Sequence, residues 1–367
     1  MPQVEIIPRN NAERLEFLKG QGVIFHDTLA AQIDELCEIQ NPSLRDKADE
    51  MRLKKEAYQE TYALRGVYCY IPWRQSCLRI LEKDLLYELR TARNVNVVRK
   101  DEQKSLARSV VAIAGLSVGS NVARCSVLLG AQRLRIADKD RISPSNLNRM
   151  LCGVQDIGRL KVETLAEYLY EMDPFIDLFV SSHPISAGTL DQFIGEHEDT
   201  ADIIIDEMDD LEAKILLRKK AAQCRIPLVS AIDNGDSVLV DVERYDRAYD
   251  INQFLKTLEN AGLSSSAESA RERAMSITRF IGPEDLETAV LESILDVGEN
   301  IYSWPQLGTT AVLAGSAIVY CVRNIICNDI LESGRYVISL PSSMGIEDSR
   351  SSLRPDLIKK MYERKNA

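Results

Sequence analysis

Gly115 and Gly119, Asp138 and Asp140, Arg149, Lys161 and the pair Asp209-Asp210 are residue types that together could grip a nucleoside triphosphate. The stretch Gly115-Leu116-Ser117-Val118-Gly119-Ser120 reads as a tight turn opening a helix, where backbone amides and the helix dipole favour an anion. Asp138 follows about 20 residues after the glycines, where a carboxylate can accept hydrogen bonds from ribose hydroxyls. Arg149 offers a planar fork to phosphate oxygens and Lys161 a point charge. One aspartate shared with phosphate oxygens is an ordinary arrangement for Mg²⁺, and Asp209 could supply it. Each signal also has a plainer reading. The turn lacks the middle glycine of G-x-G-x-x-G, and its two glycines could equally serve a positive-φ turn with no ligand. Each charge taken singly reads as a surface ion pair, so only their convergence favours a site.

Convergence demands a scaffold. The apolar run Val110 to Ala114 precedes the turn, a segment of helical period runs to Gly130, and a second apolar run closes on Asp138. Farther on come a helix (Gly158 to Glu171), a strand (Ile176 to Val180), a helix (Ser186 to His197) and a strand (Asp202 to Ile205). That last strand runs into Asp206-Glu207-Met208-Asp209-Asp210, followed by a helix (Leu211 to Cys224) and strands at Pro227 to Ile232 and Ser237 to Val242. The alternation predicts an α/β fold, a Rossmann-like mainly parallel sheet with helices on both faces. Loops at the carboxyl ends of such strands line the ligand crevice. Pro144 to Arg149 and the helix start at Gly158 to Lys161 then fall beside the turn.

Around this centre, residues 1–66 read as a mostly helical appendage, for peptide binding or dimerisation as readily as for plain packing. Two short runs, Val67 to Ile71 and Ser76 to Leu81, form a hairpin about Pro72-Trp73-Arg74-Gln75, and a helix follows from Glu82 to Arg93. The polar stretch 246–302 reads as a mobile crossover loop over the site, with helical pieces. A small-residue helix (Gly308 to Cys327) and a strand (Arg335 to Leu340) complete a central domain spanning 67–345, and 346–367 is a basic tail ending in a solvated helix.

Composition sets limits. The 367 residues carry a formal charge of -11, which argues against a nucleic-acid partner held by bulk electrostatics. No membrane segment is expected, because the longest apolar run, Ala311 to Val322, is short and rich in Ala and Gly. Eight scattered cysteines with no C-x-x-C spacing argue against a structural zinc site and for a reducing, cytoplasmic compartment.

The string from Gly115 through Asp138, Asp140, Ser145-Asn146-Leu147-Asn148-Arg149 and Lys161 to Asp206–Asp210 resembles the ThiF and ubiquitin-activating-enzyme superfamily of adenylyltransferases. The likeness extends from about residue 67 to 340, through Leu89 to Asn94 upstream and Trp304-Pro305-Gln306 and Ser333-Gly334-Arg335 downstream. It implies ATP and Mg²⁺, with Asp138 on the ribose and Ser117 and the glycine turn passing close to the nucleotide. Asn146, Arg149 and Lys161 would contact phosphates, with Ser145, Asn148, Asp140 and Asp210 in the same pocket and Asp209 on the metal. In the family an arginine reaches the γ-phosphate from a partner subunit. Its place in L-R-x-x-R-N makes that Arg93, with Arg90 as the fallback, and implies a homodimer.

The substrate class implied is a carboxylate of a peptide or small protein. Between Asp246 and Ser303 there is no cysteine, so an enzyme thioester is not expected. That favours the subgroup that stops at the acyl adenylate, which includes enzymes maturing ribosomally made peptide antibiotics, with an N-terminal appendage gripping the peptide. It also includes tRNA threonylcarbamoyladenosine dehydratases, which the acidic balance makes less attractive. Alternatives are activation of a ubiquitin-like or sulfur-carrier protein, a non-catalytic nucleotide-binding scaffold and an NAD-dependent oxidoreductase. The last leaves Asn146, Arg149, Lys161 and Asp209 unexplained together.

Overall fold

The fold is taken from a computed structural model, in which residues 3–247, 249–261, 269–328 and 330–363 are described. The N-terminal residues build a small sheet. β1 (Glu5–Pro8), α1 (Ala12–Gly20), β2 (Ile24–Asp27), α2 (Leu29–Gln40) and α3 (Ala48–Tyr62) precede β3 (Gly66–Ile71) and β4 (Ser76–Leu81). The strands lie in the order β1-β3-β4-β2, antiparallel except where β2 meets β4. On one face Ile7 and Cys77 pack with Leu15 and Leu18 of α1, and Leu81 packs with Ile33 and Leu36 of α2. The alternate residues Cys69 and Ile80 face the core of the larger sheet.

The appendage is mostly helical, as expected, but its two strands were not legible. Each has four residues, β1 ends in a proline, and β2 is exposed at every position but one, so neither shows a period-2 pattern. Because β1 and β2 pair with β3 and β4, the small sheet runs across residue 66, where the appendage was expected to end.

α4 (Lys83–Thr91) and α5 (Lys100–Arg108) lead into the nucleotide-type alternation. It comprises β5 (Val110–Ala114), α6 (Gly119–Leu129), β6 (Arg133–Ala137), α7 (Lys161–Met172), β7 (Asp177–Ser181), α8 (Leu190–Ile194), β8 (Ile203–Asp206), α9 (Leu211–Cys224), β9 (Leu228–Asn234) and β10 (Ser237–Glu243). The chain closes with α10 (Ile251–Ala261), α11 (Ala270–Ile281), α12 (Thr288–Asp296), α13 (Gly308–Arg323), β11 (Gly334–Ser339), α14 (Leu340–Ser343) and α15 (Arg354–Glu363). Seven strands form one sheet in the order β11-β10-β9-β8-β5-β6-β7. Pairing is parallel from β9 to β7, and β10 and β11 add an antiparallel edge.

β5 is buried at every position because helices cover both faces. Val111 and Ile113 meet α6, α7 and α13 through Val122, Leu165 and Ile318, whereas Val110, Ala112 and Ala114 meet Phe193 of α8 and Leu217 and Ala221 of α9. A strand covered on both faces reads as a continuous apolar run, which is why it stood out in the sequence.

The stretch 246–302 is not the loop that its polarity suggested. α11 and α12 pack on β10 and α15, burying Met275, Leu291, Leu239, Leu357 and Met361 in a third core. Apolar residues at helical spacing outweigh the charges between them. Ser264 to Ser266, part of the polar run behind the loop reading, lie outside the described residues. The tail helix α15 is likewise docked through Leu357 and Met361 and is not merely solvated. The segment Gly308–Asn328 has the length and apolarity to cross a membrane, more than the short apolar run had suggested, and 61% of its most apolar window is buried inside the fold.

Candidate active site

The sheet order reverses between β5 and β8, whose carboxyl ends open a crevice. A cavity of ≈ 1830 Å³ lies there, bounded by the glycine turn, the ends of β6, β8 and β9, and residues from α9 to α11 and 302–306. Pockets for a single small ligand run to roughly 300–1,000 Å³, so a nucleotide would leave room for a second group. Gly115 sits at the lip with φ +87, and a Cβ there would stand 2.4 Å from the Glu207 carbonyl oxygen. Glycine is therefore required by the close approach of β5 to β8, whether or not a ligand is bound.

Asp138 follows β6 and is nearly buried. One oxygen accepts from the Leu116 amide at 2.8 Å and the other from the Asp140 amide at 2.8 Å. Lys161, at the first turn of α7, points its ammonium at both carboxylates, 3.1 Å from Asp140 and 3.6 Å from Asp138. Arg149 donates from Nε to Ser117 Oγ at 2.8 Å, which fixes its guanidinium against the glycine turn. Its Nη1 donates to the Ser145 carbonyl and to Asn148 Oδ1. Gly115, Ser117, Asp138, Asp140, Arg149, Lys161, Asp209 and Asp210 all line the one cavity.

Other expected residues sit elsewhere. Asn146 is buried in its own turn, where Oδ1 accepts from the Ser143 amide and hydroxyl, and Ser145 shares a hydrogen bond with Ser143. Asn148 spends its amide on the Gln306 carbonyl, and Gly119 lies buried beneath Ile113 and Glu207. None of these four lines the cavity: Ser145 and Asn146 hold the turn that carries Arg149, Asn148 ties that turn to Gln306, and Gly119 begins α6. Arg93 is exposed and also off the wall. No hydrogen bond or ion pair engages it among the described residues. Arg90 is taken up by Asp173 at 2.7 Å and the Val127 carbonyl.

Asp209 and Asp210 are adjacent but differently placed. Asp210 caps α9, accepting from the Ala213 amide at 3.1 Å. Asp209 is exposed, with no hydrogen bond or ion pair among the described residues. A lone carboxylate at the rim suits Mg²⁺, which takes one or two protein oxygens and completes its shell with phosphates and water. No cluster of three or more acidic, His or Cys side chains stands ready for a metal among the described residues.

Three wall residues went unassigned in the sequence. Burial holds the Glu207 carboxyl well above its usual range, against the Ala231 amide that donates to it. Asp233, near the end of β9, is 6% exposed and pushed up to about 6 by burial, with Gln306 donating to Oδ2 at 3.2 Å and Arg149 facing it. For the two acidic residues, a place at parallel strand ends was the available signal; Gln306, just before α13, had none. Elsewhere along the wall, Lys214 and Arg218 pair with the buried Asp206, and Arg218 pairs with Glu243, which also accepts from the Tyr245 hydroxyl.

A family model described as the ThiF family matches residues 90–288, more than half of the chain. The chain belongs to the ThiF family. Among curated relatives, this ThiF-family chain is 29% identical over 279 residues to an uncharacterized Mycobacterium tuberculosis protein, MT1398, covering 76% of this chain and 38% of that one. It is 24% identical over 246 residues to Saccharomyces cerevisiae tRNA threonylcarbamoyladenosine dehydratase 1, covering 64% of this chain and 57% of the relative. The chain thus spans less than two thirds of either relative's length. Among solved structures, the crystal structure of selenomethionine PaaA aligns over 70% of this chain and 68% of its own, at 17% identity and a TM-score of 0.48.

Proposed function

We propose that the chain is an ATP-dependent adenylyltransferase that activates the carboxylate of a peptide. The observation that carries this reading is the convergence of Lys161, Arg149, Asp138 and Asp209 on one cavity at the switch point of the sheet. A carboxylate oxygen attacks the α-phosphorus, the acyl–O–P bond forms, the α–β phosphoanhydride breaks and pyrophosphate leaves. Arg149 and Lys161 offset the charge that grows on the phosphate oxygens, and the rigid wall sets the line of attack. Mg²⁺ held by Asp209 would neutralise phosphate charge at the rim. Arg93, exposed and unengaged, is available to a second copy of the chain, so the homodimer remains part of the proposal.

No enzyme thioester enters the scheme. Burial drives the thiols of Cys77, Cys321 and Cys327 up to about 11 and that of Cys69 up to about 12, the reverse of what a nucleophilic thiolate needs. The N-terminal sheet supports a peptide: β1 and β2 are edge strands, and an extended chain can add to such an edge. The reaction is assigned to the cytoplasm, where eight free thiols stay reduced.

A second reading takes a carboxylate carried on tRNA, favoured by the dehydratase among the relatives and weakened by the charge of -11. ATP–pyrophosphate exchange on the full chain separates the readings. Exchange that depends on added short peptides with free carboxyl ends is expected. Exchange driven by tRNA alone supports the second reading, and ATP binding without exchange under either addition leaves a ubiquitin-like or sulfur-carrier protein as substrate, or a non-catalytic scaffold.

A further inference from the structure

The cavity exceeds what a nucleotide fills, and the lobe away from the glycine turn differs from the phosphate end. It runs across β9 and β10 and is roofed by α10 and α11. Ser230 stands opposite Asp241 in the strand register, so Ser230 and Ile232 share one face of the sheet with Asp241 and Glu243. These four form the floor. Phe254 and Leu258 of α10, Ile277, Phe280 and Ile281 of α11, and Trp304 supply an apolar lining.

The lobe is braced from several sides. Met275 of α11 packs into the third core with Leu291 and Met361. Arg335 ties the end of α11 to the sheet, donating to both oxygens of Asp241 at 2.7 and 2.9 Å, to the Ile281 carbonyl and to Asp285. The Phe254 and Phe280 rings meet edge to face at 5.6 Å, and the Arg218 guanidinium lies over Phe254 at 4.1 Å. The charges that face this lobe are paired with one another: Arg218 with Asp206 and Glu243, Arg244 with Asp246, Arg247 with Glu332. Arg273 has no side-chain partner among the described residues, but it is exposed to solvent. A charged group entering the lobe would therefore lose its water and meet ions already neutralised. An apolar group would gain by leaving water for the aromatic and aliphatic lining.

We infer that the peptide activated here carries a bulky apolar side chain on its last or next-to-last residue, seated in this lobe against Leu258, Ile277 and Phe280. The inference rests on the adenylation reading above and deepens it by naming the side-chain class that the site selects. One cavity joins the lobe to the phosphate end, so the group that fills it is the chain attached to the reacting carboxyl. Such a pocket separates substrates by apolar bulk, and the neutralised floor turns away acidic and basic side chains of similar size.

The test measures ATP–pyrophosphate exchange on the full chain with short peptides of one host sequence, ending in Gly-Gly, Gly-Phe, Phe-Gly, Gly-Glu or Glu-Gly. At least one phenylalanine peptide should exceed the Gly-Gly peptide in kcat/KM by roughly 10–100-fold, the worth of burying one large apolar side chain. The glutamate peptides should fall to the Gly-Gly level or below. The better of the two phenylalanine peptides shows which residue the lobe seats. Phe280→Ala removes part of the lining, and Ala274→Leu brings bulk into the lobe from α11, so each should shrink the phenylalanine-to-glycine ratio to a few-fold. That ratio, taken within one protein, is insensitive to how much of the protein folds. Equal use of all five peptides overturns the inference, as does a preference for glutamate or a phenylalanine preference that both variants leave intact. If ATP binds and none of the peptides drives exchange, the peptide reading itself falls, and this inference with it.

Discussion

Asp206 ends β8 and Asp233 lies one residue short of the end of its neighbour β9; both are buried, and only Asp206 has partners for both its oxygens. Around Asp206 the chain supplies Lys214 at 3.1 Å and Arg218, and Arg218 in turn holds Glu243 at 2.8 Å. Burial alone would raise Asp206, but the two cations outweigh it and leave the carboxyl below its usual range. Around Asp233 there is one amide donor, one distant arginine and an empty oxygen. Where the fold needs a charge it completes the partners itself. At Asp233, on the cavity wall, one oxygen is left without a partner among the described residues.

The comparison is broken most directly at Arg218. Its side chain is 4% exposed and joins two carboxylates, so Arg218→Ala leaves both uncompensated in the interior. A loss of ~3–5 kcal/mol of folding stability is expected, by denaturant unfolding. A loss below 1 kcal/mol would mean that water or Lys214 takes over, and the Asp206 cluster could not then be called complete.

The same contrast predicts a different outcome at Lys161, which like Arg218 is nearly buried, paired with acids and on the cavity wall, but stands beside Asp138 and the glycine turn. Lys161→Ala should lower pyrophosphate exchange per folded molecule by ~10²–10³, the usual cost of losing one charge-stabilising donor. Near-normal turnover would move Lys161 into the structural class beside Arg218.

Asp233 sharpens the comparison through pH. Its carboxyl is raised in the folded state from 3.8 to about 6, so the native protein holds a proton that the unfolded chain has released. Stability is then fully present below about pH 4 and falls as pH rises towards 6, with the deficit persisting above it. Asp233→Asn removes that deficit. The variant should gain up to ~3 kcal/mol at pH 7 and nothing at pH 3.5, measured by unfolding at both pH values without nucleotide. A gain independent of pH would show that the gap around Oδ1 is not an electrostatic one.

What could be read from the sequence follows the same division. β5, the glycine turn, α6 and β6 are contiguous, so local period and turn chemistry bring Gly115, Ser117 and Asp138 together without knowledge of the rest. Arg149 and Lys161 were legible because their charges lie beside strand ends in the same unit. Asn146 and Ser145 misled for the opposite reason: a polar side chain looks the same in sequence whether it meets a phosphate or closes its own turn. Glu207, Asp233 and Gln306 come from separate stretches, and Asp233 gains its character only from burial, which is a tertiary property. Helices α11 and α12 were hidden for a related reason, since their apolar residues pack on Leu239 of β10 and on α15, which cannot be seen from the stretch itself.

Asp209 and Asp210 give the finest form of the contrast, because one peptide bond separates an aspartate used by the fold from one left to the cavity. Asp210 Oδ1 accepts from the Ala213 amide, one of the first amides of α9 that have no partner within the helix. Its weak pairing with Lys139, at 4.0 Å between exposed groups, adds little. Asp210→Ala should therefore cost ~1 kcal/mol in thermal or denaturant unfolding, the typical worth of a helix cap. Asp209, one residue earlier, donates nothing to the helix and accepts nothing from it, so Asp209→Ala should leave the unfolding midpoint unchanged while reducing Mg²⁺-dependent exchange. Two equal losses of stability would mean that the pair acts together as the helix cap. The rim would then lack the free oxygen that a cation between the protein and the phosphates requires.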